Sequence, residues 1–326
     1  MIPTYRSYLD QTLSYFNDRP HVGVPDAPTG GPAAWSGADL TDPALWRVEL
    51  DDRQRARFAA VGRELVATGA DLGELTRSDV ALDEFSALVE LSRGELADGR
   101  GFVVWRGLPV QELEPAECEA AFWALGLHLG HPGAQNGEGD LLGHVTDYHD
   151  PTDTPLAREY RSTVDIAFHC DAADVVGLLC LSTAAEGGAS RLVSSVTVLD
   201  EMVATTPLLA ARLCELAELD TRSDGEGFTH VPVRPVCFDG ERPATFMHLG
   251  YLRSVARHDD VELDDELVEA LDAWDAISAR PDVHIVMDLE PGDLQLCSNH
   301  TVAHARTGYV DGPDDPRHLL RLWLTL

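Results

Sequence analysis

The stretch TVDIAFHCDAADVVGLLCL, Thr163–Leu181, is apolar and β-branched apart from one histidine and three aspartates. Its composition and length predict strand. On a strand, residues i and i+2 project from the same face, so His169 and Asp171 point together while Cys170 points away. A buried histidine beside an aspartate is costly unless both are satisfied, and a metal ion satisfies both. The same alternation aims Asp165, four residues before His169, into the shared cavity. There a carboxylate would hold the amine of an amino-acid-like substrate.

The His-x-Asp pattern alone says little. Thirteen histidines and 56 acids should produce about two such triplets by chance in 326 residues, and there are two, His169-Cys170-Asp171 and His258-Asp259-Asp260. Context separates them. The second lies in ARHDDVELDDE, a charged loop that reads as solvated surface, whereas the first lies in an apolar strand. A third ligand must come from a distant segment, and PGDLQLCSNHTVAHARTGY, Pro291–Tyr309, offers His300 and His304. Their i,i+4 spacing would also suit a helical zinc pair, but no glutamate follows His300 and the surroundings read as strand and loop. Two histidines and a carboxylate leave coordination positions open, which suits iron(II) oxygen chemistry better than a closed structural zinc site.

Working outward, the first third of the chain is helical and irregular. Residues 21–45 are rich in Pro, Gly and Ala and read as a surface connection. Helical periodicity follows over 51–69 and 82–101, and a glycine ends a further helix over 114–130. GFVVWRGLPV, from Gly101, reads as a strand. From residue 160 strands dominate: VVGLLCLST, SRLVSSV, HVPVRPVCF, ATFMHL, HIVMDLE and HLLRLWLTL. Two helices interrupt them, one over Val198–Leu219 broken at Pro207 and one in DDELVEALDAWDAIS that Pro281 stops. Helices followed by many short strands predict a mostly β, α+β fold, a sandwich or jelly roll flanked by helices.

Bulk properties narrow the function. The 24 basic and 56 acidic residues leave a net charge of −32, which repels a nucleic-acid backbone. It also repels small anions unless arginines in a pocket reverse the sign locally. The six scattered cysteines make no CxxC pair, so a reduced, cytoplasmic setting is expected. No stretch approaches the roughly 20 apolar residues that cross a bilayer. A small-molecule substrate is the expected partner, with a homo-oligomer left open.

FHCDAADVVGLLCL, the following GGASRLVSS and the distal PGDLQLCSNHTVAHAR…PRHLLRLWL together resemble the taurine/2,4-dichlorophenoxyacetate dioxygenase family and its clavaminate synthase-like relatives. The resemblance covers roughly 99–326. It implies a double-stranded β-helix (jelly-roll) domain there, with residues 1–98 as a helical and irregular region packed on it as part of one unit. It implies iron(II), 2-oxoglutarate and O2 as metal, co-substrate and oxidant, with His169, Asp171 and His304 as metal ligands and catalytic centre. His300 then packs or supports from behind. The distal carboxylate of 2-oxoglutarate would pair with Arg317, thirteen residues beyond His304, assisted by Ser190 of GGAS. Many relatives carry Thr at that last position.

The residues themselves agree about the arginines. Alternation in the C-terminal run places Arg317, Leu319, Arg321 and Trp323 on one face. Two guanidinium groups on an apolar face are costly unless each meets an anion, and each fork matches a carboxylate. For Arg321 the anion would be on the substrate, or else a protein acid. Gln135 and Asn136, in the Gly-rich GAQNGEGD, are further candidate substrate contacts, with Tyr160 and Arg161 behind them.

The reading is therefore an oxygenase that hydroxylates or desaturates an unactivated C–H of a small amino-acid-like or natural-product substrate, releasing succinate and CO2. Asp171 argues against halogenation, since halogenating relatives carry a small residue there. The alternatives are an iron enzyme that does not use 2-oxoglutarate and a jelly-roll binding protein without catalysis. Succinate release separates the first, and the need for both triad and arginine argues against the second.

Overall fold

The computed structural model describes residues 4–150, 154, 157–222, 229–313 and 315–326. Its centre is two sheets face to face. The larger has seven strands, in the order Arg47–Glu49, Phe102–Arg106, Leu294–Ser298, Val175–Ser182, His318–Thr325 and His131–Gly133, with Leu142–Val145 also pairing with His318–Thr325. The smaller has four, in the order His284–Met287, Ser190–Ser194, Val302–Arg306 and Ile166–His169. The jelly roll expected from the sequence is this pair of sheets.

Side-chain alternation decides what lies between the sheets and what lies behind. Phe102 and Val104 face the space between them with Leu192 and Val302 of the smaller sheet, whose Phe168, Val193 and Ala303 point to its other side. Val103 and Trp105 face the other way and pack with Leu294, Leu296, Leu320 and Leu322 under the helices that carry Phe58, Leu88 and Phe122. Those helices are Asp52–Thr68, Ser86–Ala97 and Pro115–Leu129. The last starts with proline in its first turn and a Glu114–Glu117 capping box, which satisfies backbone N–H groups that have no partner within the helix. Behind the smaller sheet lie Ser195–Thr205, Pro207–Leu213 and Asp265–Ser278, whose Leu199, Met202, Leu271 and Trp274 are fully buried.

Several boundaries differ from the sequence reading. The helix expected over Val198–Leu219 ends at Leu213, because Ala217–Asp220 is a strand paired with His230–Val233. HVPVRPVCF is two strands, His230–Val233 and Val236–Phe238, since the proline at 235 interrupts the run. The N-terminal region does more than pack on the sandwich. Arg47–Glu49 joins the larger sheet parallel to Phe102–Arg106, and Tyr15 donates its hydroxyl to the Asn299 carbonyl, 3.1 Å away.

No helix among the described residues is long and apolar enough to cross a membrane. All six cysteines are free and buried. Burial pushes the Cys170 and Cys180 thiols up to about 12, so they stay protonated near neutral pH.

The helices Asp52–Thr68 and Pro115–Leu129 meet at Gly62, where an added Cβ would lie 2.3 Å from the Glu117 carbonyl oxygen. We expect Gly62→Ala to destabilise the fold by about 1–3 kcal/mol through this backbone clash. A lowered urea midpoint checks it, and an unchanged midpoint would show that the helices can separate freely.

Candidate metal and co-substrate site

His169 ends the strand Ile166–His169 and lies directly across from His304 on Val302–Arg306. Their rings are 4.2 Å apart between centroids. Asp171 follows just after the strand, where Asn299 Oδ1 accepts its backbone N–H at 2.9 Å. Its carboxylate Oδ2 accepts the Trp323 indole N–H at 2.9 Å and lies 3.7 Å from His304 Nε2. One ligand atom from each of His169, Asp171 and His304 lies within 4.8 Å of the others. Two imidazoles and a carboxylate on one side of an ion leave positions open for co-substrate and oxygen, the donor set of non-haem iron(II) sites.

The protonation states suit a ligand role. Burial, with His169 beside it, pushes the His304 imidazole down to about 3, so no proton competes for its nitrogens near neutral pH. Burial works against an ionised Asp171, but Arg321, His304 and His169 outweigh it and hold the carboxyl below its usual range. His169 Nδ1 lies 3.0 Å from the Ala167 carbonyl, a hydrogen bond that leaves Nε2 free.

Beside this group a cavity is lined by Ser190, Gln295, Arg306, Arg317 and Leu319. Arg317 is 6% exposed, and its Nη1 has no hydrogen-bond partner among the described residues. Asp311 accepts the backbone N–H of Arg317 at 2.8 Å, not its guanidinium. Gly188, at φ +75°, lets that guanidinium approach, since a Cβ there would sit 3.0 Å from Arg317 Nε. Ser190 donates to Gln295 Oε1 at 2.6 Å, and Gln295 Nε2 is also unpartnered. A buried guanidinium nitrogen and a buried amide nitrogen without partners among the described residues fit a bound carboxylate.

The chain matches the taurine catabolism dioxygenase TauD, TfdA family over residues 64–323. It belongs to that family. Members are iron(II)- and 2-oxoglutarate-dependent oxygenases, and this chain is one of them. FR-33289 synthase of Streptomyces rubellomurinus (strain ATCC 31215) is 31% identical over 94% of this chain and 92% of its own length. Clavaminate synthase 2 of Streptomyces clavuligerus is 28% identical over 80% of this chain and 89% of its own. The structure of an asparagine oxygenase with Fe(II), 2S,3S-3-hydroxyasparagine and succinate superposes with a TM-score of 0.70 at 19% identity, covering 86% of this chain and 93% of that one.

A second cavity opens on His169 and Asp171 from the other side, and in this oxygenase it divides the expected substrate contacts into two groups. Arg321 and Gln135 line it, as does Tyr160. Gln135 is buried and fully used: Oε1 accepts from Arg321 Nε at 2.6 Å, and Nε2 donates to the Leu141 and Arg321 carbonyls. It therefore sets the direction of Arg321, whose Nη1 is 3.9 Å from Asp171 Oδ2 and whose head lies over the Tyr160 ring.

Asp165, Asn136 and Arg161 are not brought to either cavity. Asp165 is exposed and ion-pairs with Arg191 at 2.8 Å. The reason is a β-bulge: His304 faces His169 and Arg306 faces Ile166, so Ala305 alone opposes Ala167 and Phe168 and the alternation shifts by one. Ile166 takes the inward position instead. Asn136 ties a surface turn through Asp140, and Arg161 pairs with Asp150 and stacks on Tyr148. His300 sits apart from the ligands, bonded to Asp174 and stacked on Tyr15. His258 lies against Asp220, with Asp259 and Asp260 exposed.

Arg306 was missed by the sequence reading. It lines the co-substrate cavity with Nε and Nη1 unpartnered among the described residues, and burial, then Arg317, pushes it down to about 10. Alternation from His304 would have found it, two residues on along the same strand.

Trp323→Phe removes the indole donor to Asp171 and little else. We expect about tenfold weaker iron(II) binding with the fold retained. Competition with a chelator measures it, and unchanged affinity would show that the bond does not hold the carboxylate in place.

Proposed function

We propose that His169, Asp171 and His304 hold the iron, that Arg317 with Ser190 and Gln295 receives 2-oxoglutarate, and that the enzyme hydroxylates an unactivated C–H of a small anionic substrate. The observation that carries this reading is the buried Arg317 guanidinium beside the three ligands, whose Nη1 has no hydrogen-bond partner among the described residues. Bound there, iron(II) and 2-oxoglutarate supply the oxidising power, with decarboxylation of the keto acid to succinate and CO2.

The chain's own residues do the positioning. Arg317 offers a bidentate fork to the distal carboxylate, and Leu178 and Leu319 keep water from the chain between carboxylates. Trp323 and Asn299 fix Asp171 from two directions. Arg321, aimed by Gln135, meets an anionic group of the substrate so that the reacting carbon stands before the open side of the metal. The relatives support a small amino-acid-like or natural-product substrate, since one is named for clavaminate and another structure holds hydroxyasparagine. An amine clamp at Asp165 is not part of this proposal, because that carboxylate faces out.

Tyr8 and Thr12 line the substrate cavity, so the first 98 residues belong to the same working unit as 99–326. Six protected thiols support a reducing, cytoplasmic setting, and the acidity disfavours nucleic acid as partner.

Anaerobic addition of iron(II) and 2-oxoglutarate should produce the visible charge-transfer band of the chelate. His169→Ala should abolish the band. Arg317→Ala should retain iron binding but weaken 2-oxoglutarate by about 2–5 kcal/mol, the cost of a buried charge losing its partner. No band in the wild type, or unaltered affinity in Arg317→Ala, would remove the proposal's basis. Succinate released in step with product distinguishes it from an oxygenase that needs no keto acid.

A further inference from the structure

The hairpin strand that follows the distal metal ligand brings one aromatic ring against two buried cations. Tyr309–Val310 pairs with Glu186–Gly187, and Tyr309 lies directly across from Gly187. Glycine is required at that position: its φ is +75°, and a Cβ there would lie 2.2 Å from the Gly308 carbonyl oxygen. Tyr309 is 6% exposed. Its ring centroid is 4.6 Å from the Arg306 guanidinium carbon and 5.2 Å from that of Arg317, both within cation–π range.

The Tyr309 hydroxyl is buried and has no hydrogen-bond partner among the described residues, so the ring carries the contact rather than its polar end. The segment before the ligand strand places the backbone, since the Tyr309 N–H donates to the Thr163 carbonyl at 3.0 Å. The same segment holds Arg306, whose Nη2 donates to the Ser162 carbonyl at 2.9 Å and to the Val164 carbonyl. The Arg317 head is not tied down in this way at Nη1, which has no partner among the described residues. Two guanidinium groups on one ring also repel each other, and Arg317 follows burial among the causes that push Arg306 down to about 10. The ring face is the negative part of an aromatic quadrupole, so it offsets part of that repulsion without an acid. A protein carboxylate in its place would occupy the fork that a ligand has to reach.

We propose that Tyr309 is a positioning residue of the co-substrate site, its ring holding the Arg317 fork ready for the distal carboxylate of 2-oxoglutarate. An arginine free to turn loses rotamer entropy when a carboxylate orders it, and a fork ordered beforehand loses less. The effect of the ring therefore falls on co-substrate affinity and not on the metal ligands. This role rests on the reading of Arg317 as the 2-oxoglutarate anchor.

The test compares keto acids under nitrogen on the full chain loaded with iron(II), by calorimetry with the chelate band followed alongside. Pyruvate carries the metal-binding end of 2-oxoglutarate but no distal carboxylate. Tyr309→Leu should weaken 2-oxoglutarate about tenfold and leave the affinities for pyruvate and iron(II) within about twofold. Tyr309→Phe keeps the ring and should bind 2-oxoglutarate as the wild type does. Pentafluorophenylalanine at position 309 keeps the shape without the negative face, so it should behave like Tyr309→Leu, and it decides the question if that variant fails to fold. Added to Arg317→Ala, Tyr309→Leu should bring no further loss. Equal losses for 2-oxoglutarate and pyruvate, a loss in Tyr309→Phe as large as in Tyr309→Leu, or full affinity with the fluorinated ring would overturn the positioning role. A wild type without the band defeats the oxygenase reading itself, whereas a wild-type band with unaltered affinity in Tyr309→Leu defeats the role of Tyr309 alone.

Discussion

A buried charge between two sheets must be answered within the sandwich, and the C-terminal strand His318–Thr325 supplies most of the answer. Its Leu320, Leu322 and Leu324 face outward into the apolar layer under the helices. Leu319, Arg321 and Trp323 face inward, continuing the side begun by Arg317. The inward side chains determine what the interior can hold. Arg321, His304 and His169, with the Trp323 hydrogen bond, hold the Asp171 carboxyl below its usual range against the effect of burial. With neutral His304 across from His169, that carboxylate completes a donor set for a divalent metal.

The same strand separates the two cavities. Arg317 and Leu319 belong to the side on which the co-substrate is proposed to lie, and Trp323 to the side that opens toward Tyr251, with Arg321 at the boundary. An acidic protein can therefore draw anions into its centre, because its charge is spread over the surface while buried guanidinium groups reverse the sign locally. Gln135, Gly188 and Tyr309 act on this arrangement indirectly. Each one places an arginine, by a hydrogen bond, by leaving room for it or by a ring face.

Much of this was legible in the amino-acid sequence, because strand and helix periodicities are local. Helices followed by many short strands led to the jelly roll, the apolar strand around His169 and the alternating C-terminal run led to the candidate region, and the family resemblance chose His304 and Arg317 within it. The chain order of strands and helices also held, apart from ends that prolines and short strands moved, as at Val198–Leu219. Arg306 was within reach of the same alternation and was overlooked.

The remainder depended on contacts distant in sequence. A single bulge opposite His304 and Arg306 turned Asp165 to solvent, and no local pattern announces where two strands will slip by one residue. Gln135 meets Arg321 across 186 positions, and Tyr309 pairs with Gly187 from far earlier in the chain. Periodicity thus determined which faces would be buried and which residue types lay on them. Only the tertiary structure decided which buried charges found partners and which were left for a ligand, because pairing depends on where side-chain tips converge in space.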